Sequence, residues 1–291
     1  MQSAAARETA VRPVPAPVAV GGMLPNLLVA VALFVAPVVF VLVYSLGTLD
    51  YDTLSVGWGW STDAYHTALH APYSSTYLRS FLVAGATVLL CMPFAFAIAL
   101  VITQAGRRTR VALFLLVLFP FWTSFIVRTY AWTFILGPRG IVADVTDSLG
   151  HRTVLLGTTT GILIGMVAAY LPIMTLPVYV ALSRVPDELV QAARDLGASE
   201  WRILRTILVP GAAAGFGAGA LLVGIPAAGE YVVPSVLGAG KTALVGNLLN
   251  QELTLNGNYP LGAALTIGLI LGLVVVLALV QVARVGLARR T

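Results

Sequence analysis

Six stretches of this chain, at about 24–46, 77–102, 111–136, 158–182, 211–238 and 261–283, each hold more than twenty residues dominated by apolar side chains. A helix rising about 1.5 Å per residue needs roughly 20 such residues to cross a bilayer core about 30 Å thick. Lipid offers no partner for a backbone N–H or C=O, so a spanning segment of this length must satisfy its own and is helical. Composition agrees, since 58% of the 291 residues are hydrophobic and 10% charged, against about a quarter charged in a soluble domain. The sequence predicts an all-α integral membrane protein with six transmembrane helices. The third and fifth runs are the least regular. Each carries an ionisable residue, Arg128 or Glu230, and the fifth is interrupted by Pro226 and Pro234. Residues 1–22, with Pro13, Pro15 and Pro17, read as a disordered cytoplasmic tail, and 23–291 as one transmembrane domain.

The formal net charge of +5 does not point to nucleic acid, because the basic residues sit in connections between apolar runs. Their distribution predicts orientation instead. One side holds Arg7, Arg12, Arg107, Arg108, Arg110, Arg184, Arg194, Arg202, Arg205, Arg284, Arg289 and Arg290. The other holds Arg139, Arg152 and Lys241, with Arg79 near its edge. The first side is expected to be cytoplasmic, with both termini on it. The opposite loops carry Asp50, Asp52, Asp63, Asp144, Asp147 and Glu252 beside Trp58 and Trp60. That combination suits an ordinary membrane interface or the docking of an external partner.

The segment 184–210 is the long connection on the basic side. Leu189, Ala193 and Leu196 recur at helical spacing, with Asp187, Gln191, Arg194 and Asp195 largely opposite. Pro186 suits a first turn, and Asp187 and Glu188 complement the positive helix N-terminus. Gly197 is expected to end this piece and Ser199 to cap a second one, in which Trp201, Leu204 and Leu208 share a face. Two short helices meeting at a glycine form a compact knob.

The segment resembles the cytoplasmic loop of binding-protein-dependent ABC permeases, which reads Glu-Ala-Ala, three residues, Gly, nine residues, Ile-x-Leu-Pro. Here Gln191-Ala192-Ala193, Gly197 and Ile207-Leu208-Val209-Pro210 keep both gaps, with Gln191 in place of Glu and Val209 in place of Leu. Residues 119–142 and 229–238 (GEYVVPSVLG) are similar to the spermidine/putrescine branch of those permeases. The resemblance implies the type I ABC importer fold in the inner membrane of a prokaryote. It implies a permease that is not itself an enzyme and holds no cofactor, with ATP and Mg bound by a separate ATPase. Two copies of that ATPase, a second permease chain and an extracytoplasmic solute-binding protein are the implied partners. Gln191, Ala192, Ala193, Asp195, Leu196, Gly197 and Pro210 are the implied coupling residues.

Arg128 and Glu230 are costly in lipid and are functional candidates by that fact alone. They could pair with each other at matched depth, or Glu230 could meet a cationic solute alongside the aromatic faces of Tyr130, Trp132, Tyr170 and Tyr231. Arg128 on the same path would repel a cation. The resemblance also leaves iron or a small organic anion as an alternative cargo, because relatives in that branch carry such solutes. An ion-gradient-driven transporter or channel, or a membrane scaffold, would also explain six spans but not the 184–210 pattern. Gly240-Lys241-Thr242 lacks the upstream glycine of a phosphate-binding loop, and His66 and His70 lack further ligands, so neither predicts a nucleotide or metal site.

Overall fold

The computed structural model describes residues 16–50, 55–57 and 59–288. Residues 1–15 of the expected tail lie outside the described residues, as do Asp52, Trp58, Arg289 and Arg290. Helix α1 (Ala16–Ser45) starts within the stretch read as tail, so residues 16–22 are helical rather than disordered. Pro17 falls in its first turn, where a missing N–H breaks no helical bond. An antiparallel hairpin follows, β1 (Thr48–Asp50) with β2 (Ser55–Gly57), in register Leu49 to Val56. It is the one departure from an all-helical chain among the described residues.

The remaining elements are helical. They are α2 (Asp63–Leu69), α3 (Tyr73–Gln104), α4 (Arg107–Leu118), α5 (Phe125–Leu136), α6 (Ile141–Ser148), α7 (Thr159–Leu182) and α8 (Asp187–Asp195). Then come α9 (Glu200–Ile203), α10 (Val209–Gly211), α11 (Ala213–Ala228), α12 (Val232–Leu237), α13 (Val245–Asn250) and α14 (Tyr259–Ala288). Among the described residues, four helices are long and apolar enough to cross a membrane, within α1, α3, α7 and α14. The count reaches six when each of two bent pairs is one span. The third expected span is such a pair, turning 93° between 107–122 and 125–148. The fifth bends 55° where 200–211 meets 213–228, and it breaks again between α11 and α12. The third is therefore not one continuous helix, and the fifth is interrupted, in keeping with the prolines in its run.

The centre of the bundle is α3, α7 and α11 packed side by side. Cys91, Ala95 and Ala99 of α3, Met166 and Met174 of α7, and Val223 and Ala227 of α11 are fully buried there. Small residues permit this approach, as helix packing in lipid requires. A Cβ at Gly215 would lie 2.6 Å from the Pro177 carbonyl, and one at Gly219 would collide with the Met174 sulfur. Helix α1 lies chiefly along α14, and Leu33, Phe34 and Phe40 point outward. Such an apolar exterior is stable only against lipid or another apolar chain.

Candidate functional site

The knob between α7 and α11 has the corner its sequence calls for. Helix α8 starts after Pro186, with Asp187 and Glu188 in its first turn. It ends at Gly197, whose φ of +80° is left-handed. The Gly197 N–H donates to the Arg194 carbonyl (2.9 Å) and the Ala198 N–H to the Ala193 carbonyl (3.0 Å). These paired reverse bonds close a helix on a left-handed residue, and glycine adopts that conformation at least cost. A Cβ at Gly197 would meet nothing within 4 Å, so backbone conformation rather than space selects glycine here. Ser199 then caps α9, its hydroxyl accepting from the Arg202 N–H at 3.3 Å.

The second piece departs from the expected single helix. Only Glu200–Ile203 is α-helical, and Leu204–Leu208 widens into a π turn whose bond runs from the Val209 N–H to the Leu204 carbonyl. Pro210 follows directly and has no N–H to continue the ordinary ladder, which accounts for the widened turn. The shifted phase changes the expected face. Ile203 is buried, Leu204 and Leu208 are half-buried, and Trp201 is 69% exposed. In α8 no residue is buried, and Leu196 is 88% exposed. Gln191, Ala192 and Asp195 are exposed and Ala193 is half-buried. The apolar face of α8 is therefore open, not packed against the bundle.

A feature missed in the sequence spans this corner. Arg194 donates from Nε to Glu200 Oε1 (2.7 Å) and from Nη2 to Oε2 (3.0 Å). The signal was present, as an arginine and a glutamate six residues apart on either side of the helix-ending glycine. The guanidinium hydrogen bonds hold the Glu200 carboxyl below the usual carboxylate range, and Arg194 is raised in turn by the same bonds.

The two intramembrane charges do not pair. Glu230 lies in the break between α11 and α12, and its Oε1 accepts from the backbone N–H groups of Tyr231 (3.1 Å), Val232 (2.9 Å) and Val233 (3.4 Å). Its Oε2 accepts from the Tyr170 hydroxyl of α7 at 2.5 Å. Arg128 instead donates from Nη1 to the Pro120 carbonyl at 2.5 Å and lies 5.7 Å from the centre of the Phe125 ring. Each charge is met by the backbone at a break in its own span, so the first of the two alternatives, an Arg128–Glu230 pair, is not formed. Of the aromatics, Tyr170 is buried and committed to Glu230, and Trp132 packs against the core. Tyr130 and Tyr231 are exposed. The structure thus brings Tyr170, Glu230 and Tyr231 together and leaves Arg128, Tyr130 and Trp132 on the neighbouring α5.

Residues 71–291 match the family described as binding-protein-dependent transport system inner membrane component. The spermidine/putrescine transport system permease protein PotB of Haemophilus influenzae is 33% identical over 208 residues, covering 70% of this chain and 73% of that protein. A crystal structure of a bacterial ABC transporter involved in the import of the acidic polysaccharide alginate is similar in fold. Its TM-score is 0.70 at 15% identity, over 92% of this chain and 95% of that one. The same score and identity hold over 89% and 91% for a bacterial alginate ABC transporter in complex with an alginate pentasaccharide-bound periplasmic protein.

Proposed function

Because the chain belongs to the binding-protein-dependent transport system inner membrane components, and so is the permease subunit of an ABC importer, we propose that it carries a polyamine of the spermidine/putrescine class. The solute class rests on likeness to the Haemophilus permease. In this reading an extracytoplasmic binding protein delivers the solute, two cytoplasmic ATPase subunits bind ATP and Mg, and a second permease chain completes the pore. The arginine-rich loops support a reading with the knob and both termini in the cytoplasm.

The observation that carries the coupling role is the open apolar face of the knob. Leu189, Leu196 and Trp201 are exposed where the chain has left its apolar spans. Such side chains favour a protein partner over water. Of the implied coupling residues, Ala193 and Leu196 belong to that face, Ala192 is beside it, and Gln191 and Asp195 lie largely opposite. Gly197 turns the chain and Pro210 follows the widened turn, so that a moving ATPase would push on α8 and thereby on α11.

One observation favours a second cargo class. The intramembrane carboxylate Glu230 is already occupied by three amides and a hydroxyl, while the Arg128 guanidinium faces no carboxylate among the described residues. A small organic anion would suit Arg128 better than a polycation does. The deciding experiment reconstitutes the chain with its ATPase, second permease and binding protein, and measures ATP hydrolysis against a panel of polyamines and small anions. Stimulation by spermidine or putrescine supports the first reading. Stimulation by an anion alone replaces it with the second, and no hydrolysis in the assembled complex overturns the importer.

A further inference from the structure

Helix α8 buries no residue and joins the rest of the protein through two covalent ends, Pro186 after α7 and Gly197 before α9. A cleft of about 430 Å³ separates the knob from the inner ends of α3 and α4, with Thr103, Gln104, Arg110, Gln191, Arg194 and Glu200 on its walls. The knob therefore stands off from the bundle. Along the chain, displacement of α8 reaches α11 around the Gly197 corner, then through α9, where Ile203 is anchored, and α10. Glycine leaves a corner more backbone freedom than any other residue would.

Arg194 and Glu200 close this corner from opposite sides, in the one ion pair formed between described residues. The contact uses two N–H donors of one guanidinium on both oxygens of one carboxylate, a geometry that fixes direction as well as distance. Its side chains are 50% and 72% exposed, so it adds little to folding stability. We infer that Arg194 and Glu200 are a pair of positioning residues, a clamp that makes α8 and α9 turn as one body so that motion imposed on the knob is delivered to the fifth span. The inference rests on the coupling role proposed for the knob, and adds to it the part that transmits.

Two measurements on the full complex test it. Spin labels at Glu188→Cys and Arg205→Cys, with buried Cys91 changed to alanine, report the spread of distances across the corner. ATP consumed per spermidine transported in proteoliposomes reports coupling. Arg194→Glu is expected to broaden the distance distribution and raise ATP consumed per solute about two- to fivefold, the range an exposed ion pair supports. Arg194→Lys keeps the charge but loses the fork, and should fall between native and Arg194→Glu. The exchanged pair Arg194→Glu with Glu200→Arg should narrow the distribution and restore the ratio. An unchanged distribution in Arg194→Glu overturns the clamp. Broadening with an unchanged ratio overturns its part in coupling, as does an exchanged pair that narrows the distribution without restoring transport, which would mean direct contact with the ATPase. A native complex whose hydrolysis no solute stimulates overturns the importer reading and the coupling role together, and the distances then decide the clamp alone.

Discussion

The third and fifth spans are both broken, and each break is met by a charge of opposite sign. In the third, the chain turns 93° after Phe119–Trp122, and the cation Arg128 reaches back to a carbonyl at the end of the first half, Pro120. In the fifth, the anion Glu230 sits ahead of α12 and takes the first N–H groups of the second half. A helix end exposes carbonyls and a helix start exposes amides, with a partial charge of matching sign at each. Lipid cannot supply partners for either. An arginine suits the end and a glutamate the start, so each charge answers a backbone need created by its own break. This differs from a salt bridge between spans, and it explains why Arg128 and Glu230 do not turn to each other.

The two breaks are not equally dependent on their charges. Glu230 is the acceptor for three amides and the Tyr170 hydroxyl. Pro120 also accepts from the Thr123 hydroxyl (2.9 Å) and the Thr123 N–H (3.3 Å), so its carbonyl survives the loss of Arg128. Glu230→Ala should therefore be the most damaging change. It leaves several part-buried donors without an acceptor, at about 1–3 kcal/mol each before relaxation, for a net loss of about 3 kcal/mol. Thermal unfolding of the purified protein in detergent would register this as a clear fall in Tm. A Tm within error of native would mean that water or neighbouring groups satisfy the α12 start, and the comparison would collapse.

Tyr170→Phe removes one donor from Glu230 and leaves the three amides in place. The expected loss is about 1.5 kcal/mol, the low end of the range for one hydrogen bond to a charged group, because three other donors remain on the carboxylate. The same measurement on Tyr170→Phe with Glu230→Ala should then show little beyond Glu230→Ala alone, because the hydroxyl has already lost its partner. Fully additive losses would place the main role of Tyr170 elsewhere in its buried site.

How much of this was legible in the sequence follows from what lipid enforces. The six apolar runs were readable because bilayer thickness sets a length and composition that few other structures need. The knob was readable because Pro186, Gly197 and Ser199 each act on the backbone within a few residues, and the observed corner uses Gly197 and Ser199 as expected. The breaks were only half readable. Pro226, Gly229 and Pro234 announce an irregular fifth run, but they do not say that α11 stops at Ala228. Glu230 had a local signal, an acidic residue just ahead of Val232-Val233-Pro234, which is how an N-terminus with proline in its first turn looks. Arg128 had none, since its acceptor lies eight residues back across the 93° turn. The buried state of Tyr170 was equally hidden, because it depends on how α7 packs against α11 and α12.

Arg128→Ala is expected to shift stability by about 1 kcal/mol or less, because a lost hydrogen bond is offset by removing a charge that lipid disfavours. Its smallness is the sharpest form of the comparison, and a double-mutant cycle with Thr123→Val can resolve it. Either change alone leaves the Pro120 carbonyl with a partner. Together they leave only the 3.3 Å Thr123 N–H contact, so the double variant should lose about 0.5 kcal/mol more than the two singles summed. A coupling of that sign, with Glu230→Ala far larger than either single, would establish that the third break is held redundantly and the fifth by one side chain. Zero coupling would mean that Arg128 and Thr123 do not share the Pro120 carbonyl in the membrane. The guanidinium would then be free for a solute anion, and the transport panel rather than the unfolding curve would be the place to look for its effect.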